Sequence, residues 1–248
     1  MDLETLLLHP PSLHVNRSGN AVPLGAGGRL LRYMDQKLHE GDVTLETGAG
    51  LSTLVFAMKK CLHTAVVPDQ DQVDRILAWC AAHDVQTDTL TFAVEPSEKV
   101  LPGLDPAPLD LVLIDGGHGF PIPMLDWFYA GRRLREGGTL IVDDVQIWTG
   151  RVLLDVLAKE PQWRIDHKSD LEFFAATRTG TGPAGEWTDQ PYVLHQSYAS
   201  GSTSLLRRAR WAVSTGTQFA GRATALARRG EWTELRRRAE ATLRAKPE

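Results

Sequence analysis

The chain has 248 residues, 42% of them hydrophobic and 23% charged, with 22 Gly, 14 Pro and 2 Cys. At ~100–200 residues per domain that length holds one large domain, or a domain with an appendage. The ordinary composition excludes collagen-like, disordered and disulfide-rich chains. The formal charge of −4, from 27 Lys and Arg against 31 Asp and Glu, is too mild for a protein whose whole surface engages nucleic acid. It is also uneven. Residues 205–248 hold 11 Lys and Arg against 4 Asp and Glu, so an acidic body carries a basic tail. Cys61 and Cys80 sit in apolar surroundings at no metal-ligand spacing, as core residues of a reducing compartment do. No run approaches the ~18 apolar residues of a membrane span. The N-terminus, Met1-Asp2-Leu3-Glu4, is acidic where a secretion signal is basic. A cytoplasmic protein without membrane contact is expected.

Short apolar runs alternate with helical patterns, the arrangement of parallel strands joined by crossover helices. In chain order, Val43–Thr47 reads as a strand that enters Gly48-Ala49-Gly50, with a helix over 52–60. Residues 63–67 form the second strand, ended by Pro68-Asp69, and 71–83 its helix. The third strand covers 89–94. Leu109–Ile114 is nearly all apolar, as a central strand buried on both faces must be. Residues 124–134 read as a helix closed by Gly137-Gly138, and 139–142 as the fifth strand. A helix over 151–159 stops at Pro161. The strands 163–167 and 171–177 then lie three residues apart, too close for a crossover helix, so they pair as an antiparallel hairpin. The expected body, over 41–178, is an α/β, Rossmann-like seven-stranded sheet with helices on both faces. An N-terminal helical cap (1–40) precedes it. A loop or lid (179–204) and a basic helical hairpin (205–228 and 231–246, about Gly230) follow.

Three motifs carry chemistry. Leu45-Glu46-Thr47-Gly48-Ala49-Gly50-Leu51-Ser52-Thr53 runs from a strand end into a helix. Glycines there let a ligand approach the backbone, and the helix start offers free N–H groups. The acidic-x-Gly-x-Gly form differs from the Gly-x-Gly-x-x-Gly of dinucleotide sites. A carboxylate at Glu46 repels a pyrophosphate but can pair with the cationic amino-acid end of S-adenosylmethionine. The alternative is a glycine turn without a ligand. After the second strand, Asp69 falls near the place where nucleotide folds set a carboxylate on the ribose hydroxyls; otherwise it caps the next helix. Asp115, in Asp110-Leu-Val-Leu-Ile-Asp115-Gly-Gly-His118, ends the fourth strand, and Asp143-Asp144 the fifth. Strand C-terminal ends line the ligand crevice of an open parallel sheet, so three carboxylates converge. Left unpaired they raise one another's pKa. A divalent cation relieves this, and oxygen ligands suit Mg²⁺, Ca²⁺ or Mn²⁺. The alternative is that all three cap local turns. His118, one turn after Asp115, is either a general base or a solvated loop histidine. His63 opens a strand and is given no catalytic role.

On these residues, Glu46-x-Gly-x-Gly-x-Ser-Thr, Asp115-x-x-His118 and Asp143-Asp144, the chain resembles the class I, S-adenosylmethionine-dependent methyltransferases of the family-24 group. That group is similar to the metal-dependent macrocin-type O-methyltransferases. The resemblance runs over about residues 24–177 and implies the seven-stranded methyltransferase sheet. It implies that Glu46, Gly48, Gly50 and Ser52 hold the methionine end of the cofactor. Asp69 would meet the ribose, and Glu95 and Ser97 the adenine. Asp115 would border both cofactor and metal, with Asp115, Asp143 and Asp144 binding Mg²⁺. His118 would take the proton from a hydroxyl of a small molecule, of sugar or other natural-product type. Segments 12–28 and 177–204 would roof the acceptor, with Trp127, Trp148, Trp187, Tyr192, His195 and Tyr198 as ring contacts or as packing. Other classes fit less well. The acidic loop and the hairpin disfavour a Rossmann oxidoreductase. The acidic site, without a basic aromatic-lined groove, disfavours a nucleic-acid methyltransferase. A non-catalytic cofactor-fold module docking a partner through the basic tail rests on the tail arginines alone. The same tail is a candidate homo-oligomer contact.

Overall fold

The computed structural model describes residues 1–200 except 17, 24, 105–107, 170 and 181–184, and beyond them 220, 224, 227, 228, 230, 232 and 233. Two compact units emerge, Met1–Leu154 with Arg164–Thr181, and Asp155–Trp163 with Gly182–Glu248. The first begins with α1 (Leu3–Leu8), a small antiparallel pair β1 (His14–Val15) and β2 (Ala21–Val22), and α2 (Gly28–Lys37). Then come β3 (Val43–Thr47), α3 (Leu51–Met58), β4 (Leu62–Val66), α4 (Gln70–Ala82), β5 (Leu90–Ala93) and α5 (Ser97–Val100). β6 (Leu109–Ile114), α6 (Ile122–Ala130), β7 (Leu134–Val142), α7 (Trp148–Leu157), β8 (Trp163–Lys168) and β9 (Phe174–Arg178) complete the series. Seven strands form one sheet in the order β5-β4-β3-β6-β7-β9-β8. The first five are parallel and β9 runs antiparallel to β7. β3 lies between β4 and β6, so the strand order reverses there and opens a crevice at the strand C-terminal ends.

Both faces of the sheet are covered. Leu111, Leu113 and Ile141 join a core cluster that includes Leu30, Leu31 and Met34 of α2 and Leu54 and Val55 of α3. Val112, Ile114, Leu140 and Val142, which alternate with them, are just as buried outside that cluster, as a strand covered on two sides requires. Leu6, Leu13 and Leu38, within the segment 1–40, belong to the same cluster as the sheet. Cys61 and Cys80 are free and buried.

Element boundaries differ from the sequence reading at several places, two of them with a clear physical reason. Helix α6 ends at Ala130, and β7 begins at Leu134 and passes through Gly137-Gly138. Those glycines admit a pairing irregularity between Leu109 and Leu111 of β6. A Cβ on Gly138 would press on the Leu109 carbonyl at 3.1 Å. The pair is an in-strand close approach and not a helix stop. The second unit contains α8 (Pro191–Ser200) after a 3-10 turn at Trp187–Asp189, where a loop over 179–204 was expected. The helices expected over 205–228 and 231–246 lie almost wholly outside the described residues; of those described, 220, 224, 227, 228, 232 and 233 are helical and Gly230 is a turn with φ +73°. Among the described residues no helix is long and apolar enough to cross a membrane.

Candidate functional site

The link from β3 to α3 turns on Gly48, at φ +89°, where a Cβ would overlap the Asp115 carbonyl. Only glycine meets both conditions. Glu46 lies beneath this loop, fully buried. It accepts from the Ser52 hydroxyl at 2.6 Å, from the Thr53 hydroxyl, and from His63 Nε2 at 3.2 Å. His63 in turn has Nδ1 2.8 Å from the Thr44 hydroxyl and its ring stacked on Phe56. With Nε2 donating to the carboxylate, Nδ1 accepts from Thr44. Thr53 also accepts from the Gly50 N–H at 2.9 Å. Glu46 and Ser52, expected to hold the cofactor's amino-acid end, therefore brace the loop from below. What the loop presents to the crevice is Thr47, Gly48 and Ala49. His63, passed over in the sequence, orients the brace.

The crevice holds a cavity of about 710 Å³, within the ~300–1,000 Å³ of small-molecule sites. Asp69 takes its alternative role. Its carboxylate caps α4 by accepting from the Asp71 N–H at 3.0 Å and pairs with Arg75 at 3.4 Å. The wall at that point is Val67, Pro68 and Gln72. Glu95 is exposed, while Pro96, Ser97 and Glu98 line the cavity, so Ser97 alone of the expected adenine pair faces it. His14 and Gly25, from the segment expected to roof the site, also line it; nothing in their local sequence marked them. A nucleoside-sized crevice over a glycine cradle that one Cβ would fill suits S-adenosylmethionine.

Carboxylates gather at the ends of β6 and β7. The Asp115 N–H donates to the Thr47 carbonyl and the Asp143 N–H to the Ile114 carbonyl, each at 3.0 Å, so backbone bonds carry the sheet up to the cluster. Gly116 packs its Cα against Thr47, with room for no more than a tight Cβ contact at 3.2 Å. Asp144 adopts φ +56°, a left-handed geometry that Asp tolerates better than most residues. Its Oδ2 lies 2.9 Å from His118 Nε2, and Gln146 donates to its other oxygen. Thr149 of α7 donates to the His118 carbonyl at 2.7 Å and anchors that turn. Burial, reinforced by Asp143, Glu46 and Asp144, pushes the Asp115 carboxyl well above the carboxylate range. Burial likewise raises Asp143 to about 6. The hydrogen bond to His118 holds Asp144 below its ordinary value, and the same bond raises His118.

Asp115, His118 and Asp144 bring ligand atoms within 4.8 Å of one another. Asp143 lines the same cavity but stands outside that group, so the expected set of Asp115, Asp143 and Asp144 is not the one the geometry gathers. The donor chemistry still suits a divalent cation. Beside it, Phe120 and Trp148 are exposed, at 72% and 65%, with ring centroids 6.4 Å apart. Trp127 instead packs into the space left by Gly131.

Residues 45–145 match a family described as a methyltransferase domain. The fold is similar to that of the O-methyltransferase TomG from Streptomyces achromogenes, solved with S-adenosylmethionine and involved in tomaymycin synthesis. That match has a TM-score of 0.58 and 18% identity, over 72% of this chain and 89% of that one. Cofactor-bound Rv0187 from MTB matches with a TM-score of 0.56 and 18% identity over 71% and 88%. A precorrin-8w decarboxylase from Methanobacterium thermoautotrophicum matches with a TM-score of 0.51 and 17% identity over 69% and 98%. A sequence search of the curated proteins finds no match.

Proposed function

We propose that this chain is a class I, S-adenosylmethionine-dependent methyltransferase that transfers the cofactor's methyl group to a hydroxyl of a small molecule, with His118 as general base and Mg²⁺ held at the strand ends. The observation that carries the reading is the convergence of Asp115, His118 and Asp144 within 4.8 Å, on the wall of the cavity that the glycine cradle shares. Asp115 and Asp144 are the ligands we assign, with Asp143 adding negative charge behind them. Mg²⁺ bound there supplies positive charge that orients a hydroxyl and eases loss of its proton. The glycine cradle at Gly48 lines the same cavity as His118, so a cofactor held there would have its methyl group within reach of an acceptor placed for in-line displacement. His118, fastened by Thr149 through its carbonyl, holds an imidazole at the cavity wall where a departing proton can be accepted. The exposed rings of Phe120 and Trp148 offer the acceptor an apolar face beside that base.

The test uses methyl-labelled S-adenosylmethionine against a panel of catechols and glycosides, with Mg²⁺ or with EDTA. Transfer to a hydroxyl is expected only with the cation. His118→Ala is expected to keep S-adenosylhomocysteine binding and to lose ~10²–10⁴-fold in turnover. Turnover that survives EDTA removes the metal from the reading. Turnover that survives His118→Ala removes the base.

A further inference from the structure

His14 stands on the cavity wall without a part in the chemistry above. It opens the small β1–β2 pair, and α4 holds it from behind, where Arg75 donates to the Leu13 carbonyl at 2.9 Å. Gln72 Nε2 lies 3.2 Å from His14 Nδ1 and also donates to the Ala49 carbonyl at 2.6 Å. A nitrogen that bonds a carbonyl in this way is the amide NH₂, so it donates to Nδ1 too, and Nδ1 is the accepting nitrogen of the ring. The proton of the neutral imidazole therefore sits on Nε2. Burial, followed by the Arg75 charge, holds this histidine below its ordinary pKa. Nε2 is buried and has no hydrogen-bond partner among the described residues.

Room for that nitrogen is made by glycines. A Cβ on Gly50 would come within 2.8 Å of Nε2, and one on Gly25 within 3.4 Å. The ring is thus wedged against the loop that turns toward the cofactor's amino-acid end, with a donor and no acceptor. The methionine end of S-adenosylmethionine has one hydrogen-bond-accepting group, its carboxylate; its ammonium can only donate. Buried donors in native proteins find partners, and a charged acceptor makes the stronger bond.

Resting on the cofactor reading above, we propose that His14 is a further cofactor-binding residue, donating its Nε2–H to the carboxylate at the methionine end of S-adenosylmethionine. The N-terminal segment then completes the site, and Gln72 acts as a positioning residue that sets the tautomer.

The full chain would be titrated calorimetrically with S-adenosylhomocysteine and with 5′-methylthioadenosine, which keeps the adenosine and the sulfur but lacks the amino acid. His14→Phe fills the same space without the donor. It is expected to weaken S-adenosylhomocysteine about tenfold or more and to leave methylthioadenosine within about twofold. Equal losses for the two ligands, or no loss for either, overturn the proposal. The wild-type chain gives a second reading that depends on no variant. The His14 Nε2–H proton resonance should sharpen and move downfield with S-adenosylhomocysteine and not with methylthioadenosine; the same response to both, or to neither, also overturns it. A wild-type chain that binds neither nucleoside removes the methyltransferase reading itself.

Discussion

Asp115 and Asp143 are carboxylates that the fold holds in a costly state. Both are pushed up by burial, Asp143 to about 6 and Asp115 well above the usual range. Between the ordinary carboxylate pKa and these raised values the folded chain binds more protons than the unfolded one. Stability without metal therefore falls as pH rises through that window. A divalent cation bound as proposed would replace those protons, so its binding would strengthen over the same window and release protons. His118 acts in the same sense, since its raised pKa rests on the bond to Asp144, an oxygen that a bound cation would claim. Mg²⁺ is therefore expected to raise the melting temperature more at pH 8 than at pH 5, read by thermal melts in Mg²⁺ and in EDTA. An equal gain at the two pH values would remove this acidic cluster as the cation site. Asp115, Asp143, Asp144 and His118 were legible in the sequence because strand C-terminal ends of an open sheet must share one crevice. His14 was not, because only the folded chain brings it to Gly50. For a related reason Asp69 and Glu95 are not among the residues lining the cavity: spacing sets which strand end a residue follows, while the helix cap and the loop path decide where its side chain goes.

Among the elements, the β3–α3 turn depends on one buried carboxylate. Glu46 accepts from Ser52, Thr53 and His63, all of them buried. Glu46→Ala would leave three buried polar groups without their acceptor at ~1–3 kcal/mol each, less whatever they recover from one another. A loss of about 3 kcal/mol, measured by urea unfolding, is expected, together with weaker S-adenosylhomocysteine binding as the cradle at Gly48 loosens. Stability within about 0.5 kcal/mol of wild type would mean that Glu46 faces the ligand after all and braces nothing. The motif pattern was visible without the structure, but its division of labour was not. A strand-end acid before two glycines can face the ligand or the core, and the hydroxyls at Ser52 and Thr53, on the first turn of α3, tip Glu46 inward. The strands were legible for a simpler reason, since Leu109–Ile114 is a nearly all-apolar run of strand length and Val43–Thr47 leads into the glycine loop, and both fell where expected. β7 was shortened in the reading because Gly137-Gly138 has the local chemistry of a stop. Pairing with β6 overrides that preference, as tertiary context commonly does.

At the scale of the whole molecule, fold and charge point to different partners. The sheet is shared with proteins as unlike as an O-methyltransferase and a decarboxylase, so the acceptor must be argued from the site. The site is acidic: Glu98, Asp115, Asp143 and Asp144 all line the cavity. A phosphodiester backbone entering it would meet that charge at short range, and only a bound cation would offset part of it. The basic balance lies in residues 205–248, whose charge can attract a polyanion whether or not the crevice accepts it. Such attraction is counterion release and fades steeply with salt. RNA is therefore expected to give at most a low-salt complex in a gel shift, gone at physiological ionic strength, with no transfer of labelled methyl to the RNA. Methylated RNA at physiological salt would overturn the small-molecule assignment and shift attention to the tail as a substrate-delivery arm. Salt-sensitive binding without transfer leaves the acidic crevice to an uncharged hydroxyl acceptor, small enough to share about 710 Å³ with the cofactor.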